Sequence, residues 1–372
     1  MKITICGDYS PQYRLGTLLE KEDYSAIFGD IKPIFANSDY NIVNFESTIP
    51  TNANKAIKKI GPNLSCSEKA VDALQWAGVN VVTLANNHAG DYGPKSLMNT
   101  ISLLDQAKIY HVGAGKNLDE ARKILYLEKG GEVLAVINCC EHEYGVAYKN
   151  NAGTNPLDSI AQYHAILEAR KIANYVLVIV HGAAEGFQLP TIRMQDTYRF
   201  FIDAGADAVI NHHQHCYSGI EIYKEKPIYY GLGNFAFDYS NDSKKWSEGI
   251  ITTLDFNEGG VSHKYTPYIQ FGKQVGIHPV KDTTEFDQKI EELSVIISDR
   301  QKLEECVGNY FAEWQSTICS RLQPYSGRIL KGLYSRRLLP SLLTKTNIRL
   351  LQNMVNCETH RERLQYFLNF NN

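Results

Sequence analysis

No run of this chain is apolar for the roughly 18 residues that a bilayer demands, which excludes a helical membrane span. Cysteine pairing signals are also missing. Cys6, Cys66, Cys139, Cys140, Cys216, Cys306, Cys319 and Cys357 are scattered with no CxxC, which speaks for reduced thiols and against a disulfide framework. A dominant charge is lacking too: 38 basic against 41 acidic side chains leave a net charge of -3, which excludes a bulk nucleic-acid binder. There is neither an internal repeat nor a low-complexity segment. Met1 is followed at once by a strand pattern, so no signal peptide or anchor is expected there and the expected compartment is the cytoplasm.

What is present is material for a sizeable core, since 44% of the 372 residues are hydrophobic. Through about residue 215, apolar strand patterns alternate with helical ones, the mark of a βαβ architecture. Helices are expected over 67–78, 93–108 and 195–206. Short strands over 219–256, continued by VSHKYTPYIQ, predict a β-rich second half-sheet. The segment 284–316 reads as helical and charged. From Trp314 to Cys357 the chain has Arg321, Arg328, Lys331, Arg336, Arg337, Lys345 and Arg349 but no acid. That stretch reads either as a solvated helical face or as a contact for an anionic lipid surface or an acidic partner such as a synthase. The expected division is a catalytic-type body over 1–275 and a helical, basic extension over 276–372.

The chemistry is concentrated where strands end. NHHQH places His212, His213 and His215 just after the apolar run ADAVI. Spaced i, i+2 on extended backbone, His213 and His215 should point the same way, with His212 turned away as an exposed or outer residue. Four more apolar runs lead to ligand-type residues. KITIC leads to Asp8; YNIVNF carries Asn44 and leads to Glu46. VNVVTLA leads to Asn86, Asn87 and His88; NYVLVIV leads to His181, with Glu185 beyond it. Ligands collect beyond the carboxyl ends of strands in α/β sheets, and mixed oxygen and nitrogen donors suit Mn, Fe or Zn.

Several neighbours compete for supporting roles. Glu141, His142 and Glu143 follow the strand EVLAVINCC and either line the site or merely open a polar loop. Arg14 and Arg193 are candidate holders of an anionic substrate, if they are not surface guanidinium groups. Glu185 is a candidate acceptor for the outer nitrogen of His181. Asn234, in the turn GNF, reads as a cap or a site residue.

GDYS, NFES, LANNHAGDYG, HGAAE and NHHQH…GIEIY…KPIYYGLGNFAFD occur in an order that resembles the capsule-synthesis (CapA-type, poly-γ-glutamate synthesis) proteins, a branch of the calcineurin-like metallophosphatases. The resemblance covers roughly residues 1 to 260. It implies a four-layer α/β/β/α sandwich with two divalent ions at the strand ends. Asp8, a bridging Glu46 and His215 would hold one ion; Asn87, His181 and His213 would complete the other, and His88 would be the general acid. The chain departs from the wider superfamily at Ser10, where a histidine is usual, and at Glu46, where an aspartate is usual. Two functions follow from different classes. One is a metal-dependent hydrolase, of phosphoester type, acting on an anionic small molecule or polymer in capsule or poly-γ-glutamate synthesis. The other is a non-catalytic accessory protein of polymer assembly.

Overall fold

Alternation along the first strand sets the architecture. In the computed structural model, which describes residues 1–51, 55–239, 244–323, 325 and 327–356, Ile3 and Ile5 of β1 (Lys2–Tyr9) turn to one face and Cys6 and Tyr9 to the other. Cys357 and the side chains of Cys319 and Arg321 lie outside the described residues. The next strands are β2 (Tyr40–Phe45), β3 (Val81–Thr83), β4 (Tyr110–Val112), β5 (Ala114–Gly115) and β6 (Leu125–Lys129). β7 (Glu132–Cys140), β8 (Gly153–Thr154), β9 (Tyr175–His181), β10 (Ala208–His212) and β11 (Ile220–Tyr223) follow. The last are β12 (Lys226–Tyr229), β13 (Asn234–Ala236), β14 (Glu248–Asn257), β15 (Gly260–Gln270) and β16 (Ile277–Pro279).

Two sheets result. One has the order β16-β15-β14-β1-β2-β3-β4, with β13 added beside β1; the other runs β11-β12-β10-β9-β7-β6. Ile3, Ile5, Ile42 and Val81 from the first sheet meet Leu134, Val136, Leu177, Ile179 and Ile210 from the second. On the first sheet's outer face, Tyr9, Val43, Phe45 and Val82 pack with Leu74, Leu97 and Leu104 of the helices Lys69–Ala77 and Gly93–Gln106. Helices Ser159–Arg170 and Ile192–Ala204 cover the second sheet. The central strands thus bury both faces, in the four-layer α/β/β/α sandwich expected.

The expected helices form with shifted ends. Gly78 closes Lys69–Ala77 at φ 94°, a left-handed cap that a side chain would resist. The segment 219–256 does not make a single half-sheet: β11 and β12 extend the second sheet, while β13 and β14 join the first. The physical reason is that Gly233 lets the chain cross over from one sheet to the other. A Cβ at Gly7 would lie 1.7 Å from the Gly233 carbonyl oxygen, so both backbones close up only because neither carries a side chain there.

By contacts the chain divides into Met1–Glu304 and Glu305–Asn372. β16 and the helix Thr284–Ser298 lie in the first unit, so that body runs past residue 275, where the sequence reading divides the chain. In the second unit the Gln323 amide joins Tyr334 and Ser341, and helices span Gly327–Ser335 and Lys345–Asn356. Among the described residues, no helix is long and apolar enough to cross a membrane.

Candidate metal centre

Parallel pairing of β1, β2 and β3 in one sheet, and of β7, β9 and β10 in the other, brings six carboxyl ends to one edge of the sandwich. Asp8, Glu46, Asn87, His181, His213 and His215 all lie there, and all are buried. A register shift between Cys6 and Asp8 re-aims the end of β1, the usual effect of a bulge.

Of three donor groups among the described residues, two are wholly buried, and those two share one residue. Asp8, Glu46 and His215 make the first; Glu46, His181 and His213 make the second. In the second, His181 Nε2 is 3.4 Å from Glu46 Oε1, 3.0 Å from His213 Nδ1 and 3.0 Å from Asn87 Oδ1. In the first, His215 Nδ1 is 3.5 Å from Asp8 Oδ2. Metal–ligand bonds of about 2.1 Å place neighbouring ligand atoms about 3.0 to 3.4 Å apart, so the second group's spacing suits a shared cation.

The observation that tests the fit is Glu46. Both its oxygens are buried without a hydrogen-bond partner among the described residues. An isolated buried carboxylate is costly unless a cation or proton neutralises it. Burial and then the charge of Asp8 push the Glu46 carboxyl up to about 8. Burial also favours protonation of Asp8, but the His215 hydrogen bond and surrounding imidazoles outweigh it and hold that carboxyl well below the usual range. Burial lowers His181 to about 3 and His213 well below its ordinary value, which keeps both rings neutral and ready to donate an electron pair. Burial would lower His215 as well, yet the charge of Glu46 and the hydrogen bond to Asp8 raise it to about 10. Two close carboxylates therefore draw positive charge to this spot, and the donor set is of the kind that suits a divalent cation in place of protons.

Supporting residues orient the donors. Glu143 accepts a 2.7 Å hydrogen bond from Asn87 Nδ2, which leaves the Asn87 oxygen facing His181. Asn234 Oδ1 lies 2.9 Å from His215 Nδ1. Asn44 Nδ2 lies 2.8 Å from Asp8 Oδ1 and 3.2 Å from His181 Nδ1. Such contacts fix ring and carboxylate orientation.

Several expectations need correction. His213 and His215 do not converge by extended alternation: φ is 88° at His213 and 55° at His215, so a left-handed loop brings them in. Non-glycine residues in that region carry strain of about 1 to 3 kcal/mol, which the surrounding packing sustains. Of the two readings of His212, exposed or outer, burial rules out the first: β10 runs through it, and its buried Nδ1 lies 3.8 Å from Asp8 Oδ1. Glu185 is exposed and groups with His213 and His215, while Asn44 faces the outer nitrogen of His181. Arg14 is held by a two-pronged pair with Asp238 and by the carbonyl oxygens of Phe271 and Gly272. Arg193 pairs with Glu141, whose other oxygen accepts from Ala183 N. Ser10 is buried, and its hydroxyl has no hydrogen-bond partner among the described residues.

Two residues were missed. His88 Nδ1 is 2.7 Å from Asp91 Oδ2, and the Lys59 ammonium pairs with the other oxygen of Asp91. Lys59 Nζ also lies 3.1 Å from His88 Nδ1; in the tautomer with the proton on Nδ1 the ring donates to Asp91, and Nε2 is the atom left for chemistry. Asp91 stands three residues after His88 in LANNHAGDYG, a spacing that could have marked it. Lys59 is 29 residues upstream and carries no local signal.

The model of the bacterial capsule synthesis protein family PGA_cap matches residues 2–239. The chain is 31% identical over 246 residues to the capsule biosynthesis protein CapA of Bacillus anthracis, covering 64% of this chain and 60% of that one. It is 33% identical over 243 residues to the PGA biosynthesis protein CapA of Bacillus subtilis, covering 64% and 63%. The chain thus spans under two thirds of these relatives. Among solved structures, a phosphatase from Mycoplasma pneumoniae matches with TM-score 0.47 and 15% identity over 73% of this chain and 95% of that one. The 5′-nucleotidase of Candida albicans matches with TM-score 0.41 and 11% identity, covering 84% and 57%.

Proposed function

The chain belongs to the bacterial capsule synthesis protein family, and from that premise we propose that it is a hydrolase requiring two divalent metal ions, of phosphoester type, in capsule or poly-γ-glutamate polymer synthesis. The observation that carries the reading is the buried Glu46 carboxylate, which accepts no hydrogen bond among the described residues and is shared by two donor groups. Asp8, Glu46 and His215 would hold one ion, and Glu46, Asn87, His181 and His213 the other. Bound there, two divalent ions polarise a phosphoryl oxygen and make water a stronger nucleophile at neutral pH.

The chain's own groups do the rest. Asp91 holds the His88 ring through Nδ1, so Nε2 can deliver a proton to the leaving oxygen. Lys59 fixes Asp91 from the other side and neutralises it. Glu143 keeps the Asn87 oxygen, rather than its amide nitrogen, on the metal side. Burial of the whole group excludes water and strengthens each of these electrostatic contacts.

A second reading, a non-catalytic accessory protein of polymer assembly, is favoured by Ser10, where the wider superfamily has an imidazole. One experiment separates them. Metal content of the purified protein is measured, then turnover of bis-p-nitrophenyl phosphate and p-nitrophenyl phosphate with added manganese. The hydrolase reading expects bound metal and manganese-stimulated turnover. It also expects His88→Asn to lower turnover roughly a hundredfold or more while metal stays bound, the scale of a lost general acid. Metal without turnover supports the accessory reading, and a protein that binds no metal ends the hydrolase one.

A further inference from the structure

The two C-terminal helices carry a surface that the metal centre does not use. At about 100° per residue, Ile329, Leu330, Leu333 and Tyr334 fall within an arc of about 140° on Gly327–Ser335, while Arg328 and Lys331 fall outside it. On Lys345–Asn356, Ile348, Leu350, Leu351, Met354 and Val355 fall within about 160°, with Asn347 the one polar residue among them. Lys345 and Arg349 lie on the opposite side.

Part of each apolar arc is exposed, at Ile329 and Leu330 on the first helix and at Ile348, Leu350 and Val355 on the second, while Leu333, Tyr334, Leu351 and Met354 are half-buried. Ile329 is 78% exposed and Leu350 59% exposed, and Leu338, in the connection between the helices, is 66% exposed. Isolated exposed leucines are ordinary, but two amphipathic helices in succession with open apolar sides are not. The cations around them are equally free. Arg328, Lys331, Arg336, Arg337, Lys345 and Arg349 form no ion pair among the described residues, and no acid occurs between Trp314 and Cys357. Elsewhere in the protein lysines and arginines repeatedly find carboxylates, as in Arg170–Asp207 and Arg199–Glu221.

We propose that these two helices form a membrane-surface binding element that lies on an anionic bilayer, with Ile329, Ile348 and Leu350 in the acyl boundary and the basic side chains among the headgroups. Charge complementarity selects an anionic partner. The exposed apolar arcs select a lipid surface over a soluble polyanion, since a polyanion offers them nothing to bury against. The element rests on exposed residues far in sequence from the metal ligands, so the proposal stands whether or not the protein is a hydrolase.

The test is sedimentation of the full chain with phosphatidylcholine vesicles, with and without a large fraction of phosphatidylglycerol. Binding is expected only with the anionic lipid. Replacing Arg328, Lys331 and Arg349 by Gln together should weaken it roughly a hundredfold, each cation near the surface contributing about fivefold. Replacing Ile329, Ile348 and Leu350 by Ser should weaken it roughly tenfold or more while the basic side chains remain. All six positions are exposed, and an unchanged melting temperature and manganese content confirm an intact body. No binding, or equal binding to both vesicles, overturns the proposal. So does a polyanion site, recognised when soluble poly-γ-glutamate binding survives the Ser substitutions and vesicle binding does too. A dimer in light scattering that the Ser substitutions dissolve also overturns it, because the apolar arcs then serve a second copy.

Discussion

Lys59 is the residue whose role is least visible in the sequence and plainest in the structure. Its side chain is 2% exposed and meets a fully buried Asp91, so Lys59→Met leaves that carboxylate with only the His88 and Leu64 donors. Removing one partner of a buried pair costs about 3 to 5 kcal/mol, and the lower half of that range is expected because two donors remain. If His88 is the acid, turnover should fall as well, through kcat more than KM, because the ring loses its fixed orientation, whereas among the candidate ligands Lys59 reaches only the backbone carbonyl of Asn87. Thermal unfolding and steady-state kinetics on the same preparation check both parts. A variant with full stability and full turnover would remove Lys59 from the site.

At the scale of elements, the junction of β1 and β13 positions the centre. Asp8 follows Gly7 by one residue, and Gly7 is pressed against Gly233, whose φ is 79°. Gly7→Ala cannot be absorbed by a side-chain rotation, because the obstacle is backbone. Overpacking of this kind costs about 1 to 3 kcal/mol, and relief must move β1 relative to β13. Since Asp8 pairs in register with Asn234, and Asn234 contacts His215, both would shift together. The expected outcome is reduced manganese affinity in a protein that still folds, read by calorimetric titration. Unchanged affinity would show that the junction does not position the donors.

For the whole molecule the buried titrating groups predict how stability follows pH. In chelated protein, Glu46 rises from 4.5 to about 8 and His215 from 6.5 to about 10 on folding. Raised values contribute stability at low pH that is lost as pH climbs through them. His181 falls from 6.5 to about 3 and His212 to about 4, so their contribution is present above 6.5 and lost as pH falls. Chelated protein should therefore melt highest near about pH 6.5, where the two trends cross. Manganese, by displacing the protons of Glu46 and His215, should raise the melting temperature more at about pH 8 than at about pH 6. Melting curves with chelator and with manganese decide it; equal stabilisation at both would place the ion elsewhere.

The sequence by itself determined the layers and the edge at which the candidate donors gather. Continuous apolar runs fix which strands are buried on both faces, and donors that follow those runs must gather at one edge when the strands are parallel. Asp8, Glu46, Asn87, His181, His213 and His215 were therefore legible in their order along the chain. Only tertiary structure decided the contacts set by backbone geometry and distant loops. The left-handed turns at His213 and His215, the burial of His212, the pairing of Arg14 with Asp238, and the Lys59–Asp91–His88 chain all depend on segments far apart in sequence. Local patterning specifies which face a residue takes, whereas a loop's partner is specified by where the packed sheets deliver it.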